Sequence, residues 1–344
     1  MSEYKGIKGF QVQTRTEDPV PFAQAKENNP YQGVWSSGGS LNTARDSATG
    51  AGVQTAALMA GGSVANPPYE SALHEQYNGT SWSEAADLNT ARRNFSNAGV
   101  TTAALVAGSS SSPTNSNVES WNGSSWTETT EINTGRGYMF RAGSTGTAVL
   151  IAGGYTTTHV SVTESWNGSA WTEVNDLNVA KGTLAGGGTY TSAITGGGQA
   201  APGYTTDSES WNGTNWTEVS EINNVRGFGA GDGSSNTNAL IFGGNTPPPA
   251  NSANTESWDG SSWTEVADLA TARGNMFGGA GSNTSNLAFG GTDDSARSAA
   301  TEEWSFTGIN PTDPAADYAN AITGDFYYNS TTGQFKTVNA GVGS

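Results

Sequence analysis

Trp121-Asn122-Gly123-Ser124-Ser125-Trp126 sets two tryptophans on either side of a short polar turn. Asn and Gly both tolerate positive φ, so Asn-Gly reads as a hairpin turn. The turn brings the two rings together across the hairpin, where such pairs stabilise a sheet by about 0.2–1 kcal/mol each. The unit recurs at Trp166/Trp171, Trp211/Trp216 and Trp258/Trp263, and at Tyr77/Trp82 with one ring exchanged. Trp304 and Trp35 are the two halves of a sixth unit, split between the chain ends. Together these units use all 11 Trp of the protein.

The second ring of each unit falls at 35, 82, 126, 171, 216 and 263, a spacing that suits four-stranded propeller blades. Each unit reads as four short strands. The first follows a basic residue, as in Arg92-Arg93-Asn94-Phe95, and is rich in Gly and Ala. The second is apolar and ends in glycines, as in Ala239-Leu240-Ile241-Phe242-Gly243-Gly244. The third carries Glu-x-Trp, as in Glu209-Ser210-Trp211, and the fourth runs Trp216-Thr217-Glu218-Val219. The last unit has Glu302-x-Trp304 but no second Trp; the first segment, from Trp35 through Leu41-Asn42-Thr43-Ala44-Arg45, has a fourth strand and no third. A ring resolves both deficits, with the segment around Trp35 completing the blade of Trp304. An open solenoid would leave both ends incomplete. The expected fold is therefore all-β, a six-bladed propeller over 31–306, flanked by an N-terminal anchoring or wrapping segment (1–30) and a C-terminal tail (307–344).

Composition narrows the function. A net charge of −17 argues against nucleic acid, which needs clustered Lys and Arg. No apolar run approaches the ~20 residues of a membrane span. Residues Met1 to Phe10 lack the apolar core of a secretory signal, so neither export by that route nor membrane insertion is expected. Cysteine is absent, which removes disulfides and thiolate metal sites. The 47 Gly and abundant Ser, Thr and Asn fit short strands and many tight turns.

A basic residue, an apolar strand, Gly-Gly, an aromatic and then Trp after a short turn resembles the kelch repeat. The basic position holds Arg45, Arg92, Arg136, Lys181, Arg226 and Arg273. The glycine pair stands at Gly61-Gly62, Gly153-Gly154, Gly197-Gly198, Gly243-Gly244 and Gly290-Gly291, with one departure at Ala107-Gly108. The resemblance implies first strands that line a central channel. A second resemblance lies in the tails. The segment Gly324-Asp325-Phe326-Tyr327-Tyr328-Asn329-Ser330-Thr331-Thr332-Gly333-Gln334-Phe335-Lys336 resembles segments of bacteriophage tail-fibre and other virion proteins. Met1 to Pro19 and the Gly/Asn/Thr-rich repeats are similar to proteins of marine tailed phages. This implies a virion component, assembled in the host cytoplasm. Read from its residues alone, Phe326 to Lys336 is a short aromatic hairpin.

Recurrence at every blade assigns the rings at 35, 77, 82, 121, 126, 166, 171, 211, 216, 258, 263 and 304 to packing rather than to sugar stacking. The ring of five Arg and Lys181 is read as bonding backbone carbonyls or neighbouring carboxylates, against an anion site in the channel. The carboxylates repeat at fixed offsets from Trp, which favours architecture over a glycosidase pair. Asn-Gly-Ser/Thr at Asn78, Asn122, Asn167 and Asn212 matches a glycosylation sequon, but the turn accounts for it. With only His74 and His159 and no Cys, a copper-radical oxidase is excluded, and no cofactor or metal is called for. Adjacent acids such as Asp293-Asp294 do not by themselves make a calcium site.

What differs between blades is the loops after the glycine pair: Ser63 to Ala72, Ser109 to Asn117, Tyr155 to Val160, Gln199 to Asp207, Asn245 to Asn254, and Thr292 to Ala300. In a four-stranded meander they emerge on one face, where recognition usually sits. Tyr69, Tyr155 and Tyr204 are the candidate aromatic anchors, with His159, Asp293 and Asp294 beside them. The expected role is a non-enzymatic appendage of a phage particle. Its loop face would recognise host-surface glycan or protein, and its tails would hold other virion proteins; self-association into a homo-oligomer is a further option. One alternative is a stiff spacer held by the two tails. Another is a polysaccharide lyase or hydrolase, for which no nucleophile–base constellation is visible.

Overall fold

The computed structural model describes residues 33–110, 115–248, 250–276, 279–294 and 296–306, and two strands at 326–329 and 334–337. The expected wrapping segment 1–30 lies outside them. The chain divides into one unit spanning Val34–Ser305 and a second formed by 1–33 and 306–344. In the second, Phe326–Asn329 pairs antiparallel with Gln334–Thr337.

The first unit is an all-β, six-bladed propeller arrangement; among the described residues there is no helix. The chain enters through β1 (Val34–Ser37). Blade one holds β2 (Thr49–Val53), β3 (Ala56–Ala60), β4 (His74–Tyr77) and β5 (Trp82–Ala85). Blade two holds β6 (Ser96–Val100), β7 (Ala103–Ser109), β8 (Asn115–Trp121) and β9 (Trp126–Thr129). Blade three holds β10 (Phe140–Thr145), β11 (Ala148–Ala152), β12 (Thr163–Trp166) and β13 (Trp171–Val174). Blade four runs β14 (Ala185–Thr189) and β15 (Ser192–Gly196), a small loop hairpin of β16 (Gln199–Ala200) and β17 (Gly203–Tyr204), then β18 (Ser208–Trp211) and β19 (Trp216–Val219). Blade five repeats this with β20 (Ala230–Ser235), β21 (Asn238–Phe242), the hairpin β22 (Asn245–Thr246) and β23 (Ala250–Asn251), β24 (Thr255–Trp258) and β25 (Trp263–Val266). Blade six has β26 (Gly279–Gly281), β27 (Ser285–Phe289) and β28 (Thr301–Ser305), and β1 is its outer strand, with Trp35 opposite Trp304.

The first strands surround the axis, and their small residues follow from crowding there. A Cβ on Gly187 would lie 2.3 Å from the backbone nitrogen of Gly233 in the next blade. The second strands are buried apolar runs, and clusters such as Leu58, Phe95, Val106, Trp121 and Trp126 fill the space between blades one and two.

Each cross-strand pair of rings sits in register, as Trp121 does with Trp126, with centroids 5.3 Å apart. The turn between them differs from the sequence expectation. Only the glycine takes positive φ, +95° at Gly123. Asn122 acts instead through its side chain, whose Oδ1 accepts the N–H groups of Ser124 (2.9 Å) and Ser125 (3.0 Å). This is an Asx turn, which a short polar side chain closes on its own backbone. Asp259 does the same in blade five.

The glutamate of Glu-x-Trp is buried and receives the basic residue of its own blade. The pairs are Arg45–Glu75, Arg92–Glu119, Arg136–Glu164, Lys181–Glu209, Arg226–Glu256 and Arg273–Glu302, separated by 2.5–3.2 Å. Each carboxylate also caps the linker that delivers that basic residue. Glu164 accepts the backbone N–H of Asn133 (2.7 Å), its Nδ2 (2.8 Å), and the N–H of Thr134 (3.3 Å).

Three further hydrogen bonds recur between neighbouring blades. The second indole of one blade donates to the start of the third strand in the blade before it: Trp82 to Thr301, Trp216 to Thr163, Trp263 to Ser208 and Trp35 to Thr255. In blade one His74 takes this position, with Nδ1 3.2 Å from both the Trp126 indole nitrogen and the Ala86 carbonyl oxygen; burial pushes the His74 pKa down to about 4. In blade two Val118 offers no acceptor at this position, and Trp171 donates to the Thr130 carbonyl instead. The second glycine of each pair donates to the carbonyl of the next basic residue, as Gly62 does to Arg92 and Gly291 to Arg45. In blade two that donor is Ser109, so the irregular pair is Gly108-Ser109 rather than Ala107-Gly108. Last, Ser47, Asn94, Tyr138, Thr183 and Phe228 each donate to the carbonyl of the equivalent residue one blade back, Ser47 using Asn275; Met276 donates to Phe228 and completes a six-bond ring.

Removing one member of a buried ion pair leaves an uncompensated charge and costs about 3–5 kcal/mol. Glu164→Ala should destabilise the propeller by that amount in urea titration. Glu173→Ala, at the exposed cross-strand partner of Glu164, should stay within about 0.5 kcal/mol of the parent.

Candidate functional site

The loops between second and third strands leave from one face, because an antiparallel meander returns them to the end where each blade begins. Their bases are fixed to the linkers there by backbone bridges, Asp46 to Ser63, Gly137 to Tyr155, Gly182 to Gln199, Gly227 to Asn245 and Gly274 to Thr292. Tyr69 in blade one is 54% exposed and Tyr155 in blade three 39%. His159 is half-buried and sits edge-on to Tyr155 at 5.2 Å, and burial lowers its pKa. Tyr204 behaves differently from the expected anchor. Its ring is half-buried, packs over Gly227 and meets Phe228 edge-on at 6.2 Å. It is drawn inward because Gly227 offers no side chain to hold it off. Asp294 accepts a hydrogen bond from Asn251 of blade five (3.2 Å), and Asp293 accepts the N–H of Ala296. Arg297, from the same loop as both aspartates, pairs with Asp46 at 3.0 Å and ties blade six to blade one. The structure therefore unites Tyr155 with His159, leaves Tyr69 two blades away, and gives the aspartates local bonding work. Among the described residues no three His, Asp or Glu side chains converge as metal ligands.

The sequence expectation of first strands around a central channel did not single out the side chains that line it. Beneath the loop face, Tyr138 and Phe228 meet edge to face across it at 5.9 Å. Deeper, Arg141 on β10 and Asp232 on β20 both line the central channel. Nη2 of Arg141 donates to the carbonyl of Gly279 on β26 (3.0 Å). Blades three and six lie opposite each other in a ring of six, so this side chain crosses the axis. Oδ1 of Asp232 accepts the N–H of Gly233 (2.8 Å) and Oδ2 that of Gly281 (3.2 Å). Burial pushes the Asp232 pKa up to about 6, although Arg141 and the two N–H groups oppose the rise. Burial likewise lowers the Arg141 pKa. One signal in the sequence could have exposed them. Phe140-Arg141-Ala142-Gly143 and Ala230-Gly231-Asp232-Gly233 are first strands in which a charge interrupts small residues.

No family model matches this chain, and no curated protein matches it either.

A carboxyl whose pKa is raised in the fold binds its proton more tightly there than in the unfolded chain, where the value is ~3.9. Its ionisation therefore opposes folding increasingly as pH rises from about 4 to about 6. Asp232→Asn should raise the thermal midpoint at pH 7.5 and leave it nearly unchanged at pH 4, as followed by circular dichroism.

Proposed function

We propose that this chain is a non-enzymatic binding and structural propeller of the kelch type, carried on a tailed-phage particle, that recognises a partner through its loop face. The observation that carries this reading is the contrast between two sets of rings. The repeat aromatics pack against one another between blades, whereas Tyr69 and Tyr155 stand exposed on loops with fixed bases. Rigid aromatic anchors on an immobile frame lose little entropy on binding. The kelch assignment is supported by the work each pattern residue does. The basic residue pairs with the glutamate, the glycine pair clasps the next blade, and the second Trp donates to the blade before. Pairing of β1 with β28 is read as the closure that retains the ring. The repeated third-strand glutamates are engaged by Arg or Lys, which leaves them no acid–base role. The virion assignment is supported by the resemblance of residues 324–336.

Electron microscopy of intact particles decorated with Fab fragments against the propeller tests the reading. Label at an outward-facing propeller is expected, with at least tenfold slower adsorption by particles carrying Tyr69→Ala and Tyr155→Ala together. Absence of the chain from purified particles would overturn the virion assignment. Loops covered by neighbouring particle proteins, with adsorption unchanged, would replace recognition by a spacer role.

A further inference from the structure

The central channel has two unlike ends. At the loop face the six-bond backbone ring, Tyr138 and Phe228 crowd the axis. At the other end, among the turns joining first to second strands, lies a cavity of about 450 Å³. That is within the range of small-molecule sites, about 300–1,000 Å³. Arg141 borders this cavity and also a far smaller one, of about 20 Å³, so its side chain forms the floor between them. Asp232 borders the larger cavity from blade five. Among the described residues no ion pair joins Arg141 to Asp232, although each lies within the other's field.

Two opposite charges thus face one cavity from non-adjacent blades. Each keeps hydrogen-bonding capacity to spare: among the described residues Arg141 uses one of its five N–H donors, on the Gly279 carbonyl, and a carboxylate can accept more than two bonds. Elsewhere the same fold pairs its buried charges within 3.2 Å or less. Leaving a partly buried charge without a counter-ion is unfavourable, and a site that tolerates this is completed when a ligand supplies the opposite charges. Ser144, Thr189 and Ser234 add hydroxyls at the mouth, while Gly143, Gly188 and Gly233 keep it wide. The protein's charge of −17 disfavours a free anion near the site and leaves a molecule of zero net charge unopposed. We propose that this cavity binds a small zwitterion, its carboxylate held by the Arg141 guanidinium and its ammonium by the Asp232 carboxylate. The site lies at the opposite end of the blades from the recognition loops and does not depend on their role.

Isothermal titration at pH 7.5 with glycine, β-alanine and γ-aminobutyrate varies the separation of the two charges. Glucuronate and ethanolamine serve as single-charge probes. At least one zwitterion should bind with a dissociation constant below about 1 mM, and both single-charge probes should bind at least tenfold more weakly. Arg141→Gln and Asp232→Asn should each weaken the zwitterion at least tenfold. Affinity should fall as pH drops from 7.5 to 5 and Asp232, which faces Arg141 and the N–H groups of Gly233 and Gly281, takes up its proton. Failure of all three zwitterions to bind below 1 mM would overturn the proposal. So would binding unchanged in Asp232→Asn, or glucuronate binding as tightly as any zwitterion. If Arg141→Gln does not fold, Asp232→Asn and the single-charge probes on the parent protein decide the matter.

Discussion

A buried carboxylate organises every blade. The glutamate two residues before the first aromatic ring would be intolerable in the interior without partners, and its partners come from a linker about thirty residues away. In blade three it accepts from Arg136, twice from Asn133 and once from Thr134, so its acceptor capacity is filled by one short segment. The linker is thereby clamped onto the third strand, and the basic residue reaches past it to the carbonyls of Gly153 and Val162. Two blades show how far the clamp can be simplified. Lys181 supplies a point charge where the others supply a fork, and it bonds one carbonyl, that of Asp207. In blade six Ala270 stands where the others carry Asn, leaving Glu302 the backbone N–H and Arg273.

Once the linker is clamped, the contacts between blades follow from where it ends. The basic residue presents its carbonyl to the glycine of the preceding blade, and two residues later the chain enters the ring around the axis. Ser47, Asn94, Tyr138, Thr183, Phe228 and Asn275 all adopt φ between 47° and 59° there. Left-handed backbone is unfavourable for side chains of this kind, β-branched Thr183 above all. In that conformation Ser47, Asn94, Tyr138, Thr183 and Phe228 point their N–H groups at the carbonyl one blade back, and after Asn275 the donor is Met276.

The repeat was legible because its parts are local. Trp121 and Trp126, or Glu209 and Trp211, lie within one hairpin, and their spacing reports strand pairing directly. The partner of Glu209 was not legible from spacing, since two blade strands and a loop hairpin separate Lys181 from its carboxylate and only their pairing brings the two together. Details that depend on which atom bonds were harder still. The sequence shows Asn122 in a turn, but not that its Oδ1 rather than its φ makes the turn. It shows a broken glycine pair in blade two, but the register that puts Ser109 in the donor position is a property of the sheet. The anchors fared unevenly for the same reason. Exposure of Tyr69 follows from a loop rich in Pro, whereas the inward lean of Tyr204 depends on the glycine beneath it. Arg141 and Asp232 escaped altogether, because a search for recurrence discards whatever occurs in one blade only.

Val34 and Ser305 are cross-strand partners at one end of a four-residue pairing. The propeller thus offers its two ends side by side on a single blade, and this sets its mechanical behaviour. Tension that drags one end away from the other peels the sheet one residue pair at a time, at low force. Tension shared by both ends travels into blade six as a whole, and the pairing carries none of it. A load-bearing role would therefore favour attachment through both ends together, with the blades acting as a rigid block.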